Sequence, residues 1–196
     1  STFVVVGDNA TGAGTILTSP DAITWTSRTS GTSERLWEVT YANSTFVVLG
    51  TTGTILTSSD GTSWTSRTSG TTEHLWGVTY GNSTFVVVGD NETGSGTILT
   101  SSDGTTWTSR WFDTTYDFYG GTFGNSEFAV VGESGKVLIS TNGTSFYTQN
   151  LTSFTTTTYG IAYGGSTWVL VGVSGNIYTI ADFSETDVTS RTSGTT

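Results

Sequence analysis

The chain alternates short apolar runs with polar punctuation. Runs such as TFVVVG (2–7), GTILTS (14–19) and LWGVTYGN (75–82) are mostly β-branched or aromatic. Gly, Asn, Asp and Ser bound them, the pattern of strands joined by tight turns. TFVVVG and GTILTS are apolar at nearly every position, so both faces of those strands are expected to be covered. No segment carries a capped 3.6-residue apolar period, and essentially no helix is expected.

The runs recur in a fixed order. TFVVVG, TFVVLG, TFVVVG, EFAVVG and TWVLVG put Phe3, Phe46, Phe85, Phe128 and Trp168 at one repeat position, 39 to 43 residues apart. After each comes a Gly-rich turn, a GTILTS-like run, a tight turn into TWTSR or SWTSR, and a polar loop. An LWGVTYGN-like run then leads to the next copy. Four antiparallel strands about every 40 residues is the arithmetic of a β-propeller blade. Stacking blades around an axis buries both faces of each. A β-helix would have shorter repeats and no hairpin between every pair of strands. The expected fold is all-β: one domain over 1–196, a five-bladed β-propeller of four-stranded antiparallel blades. Its units run about 1–35, 36–74, 75–117, 118–158 and 159–196. Within a blade the LWGVTYGN-type strand is innermost and the SWTSR-type strand outermost.

Composition narrows the class. Charged residues are 11% of the chain, aromatic residues 13%, and the net charge is -10. Six basic residues are too few to grip phosphates, so neither nucleic acid nor an anionic membrane is an expected partner. No cysteine is present, so disulfides do not report the compartment. No transmembrane run occurs, and no membrane insertion is expected.

The turn before the outer strand reads SPDAITW (19–25), SSDGTSW (58–64), SSDGTTW (101–107) and STNGTSF (140–146). It resembles the Asp-box of bacterial sialidase-type repeats, with Asp one residue closer to the aromatic than in that family. The fifth unit, ADFSETDV, lacks it. The wider pattern is similar to secreted bacterial propellers and to photosystem II assembly-factor propellers. The resemblance implies that Asp60, Asp103 and Asn142 are structural turn caps. Sialidase catalysis does not carry over. Arg28, Arg67, Arg110 and Arg191 all end outer strands, where they ring the rim and cannot converge on a substrate.

Strand order assigns the loops to two faces. The turns within LWGVTYGN–TFVVVG hairpins and the Asp-containing turns are short and uniform. The loops on the opposite face vary in length and composition, and function concentrates in such loops. That face is expected to hold the ligand-binding residues Glu34, Arg35, Glu73, His74, Asp90, Asn91, Trp111, Asp113, Tyr116 and Asp117. It is acidic with aromatic islands, which suits a neutral glycan or a protein. Calcium is a lesser candidate at DNATG (8–12) and DNETG (90–94); no other cofactor or metal is expected. Trp37, Trp76, Tyr119 and Tyr159 share one repeat position and are read as packing between blades.

The expected role is a non-enzymatic recognition or structural module on a bacterial or viral surface, an adhesin, filament or tail-fibre part. A glycoside hydrolase using loop carboxylates and an assembly chaperone are the alternatives. One further expectation concerns the first blade. The chain holds only four inner-type segments: LWEVTYAN, LWGVTYGN, FYGGTFGN and YGIAYGG. The first blade is therefore expected to lack its innermost strand. A strand from a longer parent chain or a neighbouring subunit is expected to fill the gap, the alternative being a three-stranded blade plugged by side chains.

Overall fold

The computed structural model describes residues 2–90, 96–110, 115–151, 154–184 and 188–191. Nineteen strands among them form five antiparallel sheets. The first sheet contains β1 (Phe3–Asp8), β2 (Gly14–Ser19) and β3 (Thr26–Arg28). The second contains β4 (Leu36–Ala42), β5 (Thr45–Gly50), β6 (Ile55–Ser58) and β7 (Thr65–Arg67). The third contains β8 (Leu75–Gly81), β9 (Thr84–Gly89), β10 (Thr97–Ser101) and β11 (Thr108–Ser109). The fourth contains β12 (Phe118–Gly124), β13 (Glu127–Gly132), β14 (Val137–Ser140) and β15 (Tyr147–Gln149). The fifth contains β16 (Thr158–Gly164), β17 (Thr167–Gly172), β18 (Ile177–Ile180) and β19 (Thr189–Arg191). Each sheet is a meander in which sequence neighbours pair. The first has three strands, as its missing inner segment predicts.

Four apolar clusters join successive sheets. Ile16, Val4 and Val6 of the first meet Leu36, Val48 and Leu56 of the second. Val47, Leu49 and Ile55 of the second meet Leu75, Phe85, Val87 and Leu99 of the third. Val86, Val88 and Ile98 then meet Phe118, Phe128, Val130 and Leu138. Ala129, Val131, Val137 and Ile139 finally meet Trp168, Leu170 and Ile180. Alternate residues of one strand thus feed two different cores, which is why the second and third strands are apolar throughout. The strands β4, β8, β12 and β16 pack on one another in that order and are innermost.

The Asp-containing turns hold themselves together. Asp60 Oδ1 accepts from the backbone N–H of Thr62 and Ser63 and from the Ser58 hydroxyl. Asp103 does the same with Thr105, Thr106 and Ser101. Asn142 accepts from the N–H of Thr144 and Ser145. The indole N–H groups of Trp64 and Trp107 donate to the carbonyls of Gly61 and Gly104. Gly61, Gly104 and Gly143 have φ of 76°, 74° and 71°, the left-handed region that glycine enters without strain. The rim arginines are tied down locally: Arg28, Arg67, Arg110 and Arg191 donate Nε–H to Thr18, Thr57, Thr100 and Thr179.

Candidate functional site

A register slip repeats at the start of each inner strand. Leu36 faces Gly50 and Glu38 faces Leu49, so Trp37 is an extra residue in β4. The same slip leaves Trp76 extra in β8, Tyr119 in β12 and Tyr159 in β16. A β-bulge turns its extra residue away from the regular alternation. Here all four extra residues are aromatic. Their rings form a row around the inside of the sheets: Trp37–Trp76 centroids lie 4.8 Å apart, Trp76–Tyr119 6.3 Å and Tyr119–Tyr159 5.2 Å. None belongs to the inter-sheet cores. Three are half-buried, and Tyr159 is 55% exposed. They meet one another across successive sheets, as expected, but along the inner edge and outside the buried cores. Recurrence alone does not separate a core position from a bulge.

The row opens at the variable-loop end, and acidic groups rim it. Asp90 accepts from the backbone N–H of His74 and the indole N–H of Trp76. Glu133, its counterpart in the fourth sheet, accepts from the N–H of Asp117. Thr51 does the same for Arg35 in the second sheet. These residues clamp the loops entering β4, β8 and β12 to the ends of β5, β9 and β13. Glu34 accepts from the hydroxyls of Thr51 and Thr52 at 2.7 and 2.8 Å, and these bonds lower its pKa. The Thr52 N–H reaches His74 Nδ1, so Glu34 and His74 meet across one residue. Partial burial raises the Tyr119 phenol to about 12, with added repulsion from Glu133, Asp117 and Asp90. The potential over the row is therefore negative.

Of the expected site residues, His74, Asp90 and Asp117 gather beside the row, and Glu34 joins them through Thr52. Glu73 lies in the same loop as His74, with its carbonyl accepting from Gly53. Arg35 stands off with Asp8 at 3.6 Å, both well exposed. Tyr116 stacks under the Lys136 ammonium, 4.6 Å from the ring centroid. Asn91, Trp111 and Asp113 lie outside the described residues. Asn9 accepts from Thr11 and Ala13 within its own turn. Among the described residues no group of three His, Cys, Asp or Glu side chains is placed to hold a metal, and no helix is long and apolar enough to cross a membrane.

One half-buried carboxyl belongs to the inner strands themselves. Glu38 stands where the next three inner strands have Gly77, Gly120 and Gly160, and its Oε2 accepts from the N–H of Val78 in the neighbouring strand. Burial pushes this carboxyl up to about 7, against the pull of that N–H.

No protein-family model and no curated protein matches the chain. Solved structures do. Virginiamycin B lyase from Staphylococcus aureus superposes with a TM-score of 0.79 at 12% identity, over 96% of this chain and 68% of that one. YCF48 from Cyanidioschyzon merolae superposes with a TM-score of 0.63 at 15% identity, over 82% of this chain and 56% of that one. The nidogen structure, solved with laminin, gives a TM-score of 0.64 at 13% identity, over 92% of this chain and 74% of that one. The fold is a β-propeller. This chain spans little more than half the length of the YCF48 chain. At such identities the likeness extends to the propeller architecture alone, which hosts both enzymes and binding proteins.

Proposed function

We propose that the chain is a non-enzymatic recognition module that holds a protein partner over the bulged aromatic row, displayed on a bacterial or viral surface. The row carries the reading: four neighbouring rings at one end of the inner strands, under a negative potential. Such a surface suits a segment bearing lysine or arginine, through apolar contact and cation–π attraction. The loop carboxylates Glu34, Asp90 and Glu133 already serve the scaffold, which favours binding over acid–base chemistry. Protein binding is also compatible with the fold, since one YCF48 structure holds a peptide and nidogen was solved with laminin.

The test is a fluorescence titration of the chain with lysine- and arginine-bearing peptides, neutral oligosaccharides and chromogenic glycosides. Basic peptides should bind saturably, and Tyr159→Ala should weaken them about tenfold with the melting temperature unchanged. Binding of oligosaccharides alone would replace protein by glycan as the ligand. Turnover of a glycoside, lost on substitution of Glu38 or Asp117, would make the chain a hydrolase.

A further inference from the structure

One position of the inner strands breaks the repeat at the aromatic row. Glu38 follows the bulged Trp37, where Gly77, Gly120 and Gly160 follow Trp76, Tyr119 and Tyr159. Two of these positions require glycine. A Cβ on Gly77 would lie 2.9 Å from the Tyr119 carbonyl oxygen, and one on Gly120 2.6 Å from that of Tyr159. Strands β8, β12 and β16 therefore approach too closely there for a side chain to enter. Between β4 and β8 a side chain is admitted: Glu38 lies across the gap, and its Oε2 accepts from the Val78 N–H at 3.1 Å. The slot it occupies adjoins Trp37 and Trp76, the closest pair of rings in the row, with centroids 4.8 Å apart and planes 33° from parallel. Asp90 accepts from the Trp76 indole, so one wall of the slot is held in place.

The acids around the row are not equally engaged. Glu34 takes two hydroxyl donors, and Asp90 takes an amide and an indole. Glu38 has the single N–H of Val78, which occupies one carboxylate oxygen. Among the described residues it makes no ion pair, the one such pair being Arg35 with Asp8. Burial works against its charge, and a nearby cation is what offsets such a penalty. We infer that this slot takes one lysine side chain of the protein partner, its stem along Trp37 and Trp76 and its ammonium on Glu38 Oε1. A lysine stem buries on apolar rings while its head stays with a charge. Lysine suits the seat better than arginine. A guanidinium fork grips a carboxylate through both oxygens, and Val78 already holds one; an ammonium is a point charge that needs only the other. The assignment rests on the reading of the row as a protein-binding surface, and adds which side chain the partner presents and where.

The probe is a set of blocked peptides, identical except for a central lysine, arginine or Nε-acetyl-lysine, titrated into the whole chain at pH 8. The lysine peptide should bind tightest, the arginine peptide about threefold more weakly and the acetyl-lysine peptide at least about tenfold more weakly. Glu38→Gln keeps an acceptor for the Val78 N–H and removes the charge. It should lower lysine binding to the level of acetyl-lysine, with the fold unchanged by circular dichroism. Tyr159→Ala, at the far end of the row, should weaken every peptide alike. Peptides that bind equally, all weakened by Tyr159→Ala, would keep the row as the binding surface and overturn the lysine seat. A lysine preference that survives Glu38→Gln overturns it too, as does arginine binding more tightly than lysine. Absence of binding by every peptide at millimolar concentration overturns the reading of the row and the lysine seat together.

Discussion

Glu38 is the residue whose protonation the scaffold most clearly controls. Its carboxyl has a folded pKa of about 7 against an ordinary value of 4.5. The folded protein therefore holds this proton more tightly than the unfolded chain does. The resulting stability is fully present below about pH 4.5 and is lost as pH rises through 7. Denaturant titrations at pH 5 and pH 8 should differ by on the order of 2 kcal/mol through this group, and Glu38→Gln should abolish the difference. Asp60 and Asp103 work in the opposite sense. Hydrogen bonds from their turns hold both pKa values well below normal, so their stabilisation exists above about pH 4 and is lost on further acidification. The two windows do not overlap, so one pH series separates them. Glycine at these turns is a second residue-scale requirement. A Cβ on Gly143, at φ 71°, would lie 3.0 Å from Phe128 and 3.1 Å from Thr84. Gly143→Ala should cost about 1–2 kcal/mol in urea unfolding. Ala22 occupies the same turn position at φ 60°, so Ala22→Gly should instead stabilise.

At the scale of the element, the strands were legible because each repeat restates the same run of residues between the same turn residues. The caps were legible too, since Asp or Asn two residues after Ser has few other uses at a tight turn. The bulges were not. A bulge is an offset between two strands, and its own sequence, Leu-Trp or Phe-Tyr, reads like ordinary strand. A shared repeat position is therefore visible in the sequence, but whether it is core or bulge is not. Which of the loop acids cap backbone N–H groups depends on pairing that a linear reading does not contain. Separate faces should give separable effects. Asp103→Ala should lower the melting temperature while leaving any basic-peptide affinity intact. Tyr116→Ala should do the reverse, because its ring lies on the variable-loop side with Lys136. Loss of peptide binding in a folded Asp103→Ala variant would mean that the faces are assigned the wrong way round.

Across the whole molecule, each sheet is stabilised chiefly by its neighbours, as in a one-dimensional stack of repeats. The inner sheets have an apolar cluster on both sides, whereas the first contributes to one only. The fifth likewise contributes to one, and Val171 is left 43% exposed where Leu49, Val88 and Val131 are buried. Local opening follows the density of buried contacts. Hydrogen exchange should therefore be slowest in β9 and β13, whose central residues are buried on both faces, and fastest in β1 and β19. The gradient should be steep at the first sheet, which has both an open edge and an open face. Uniform protection across all five sheets of the free chain would contradict this account, because it would require the first and fifth sheets to be covered as well as those between them.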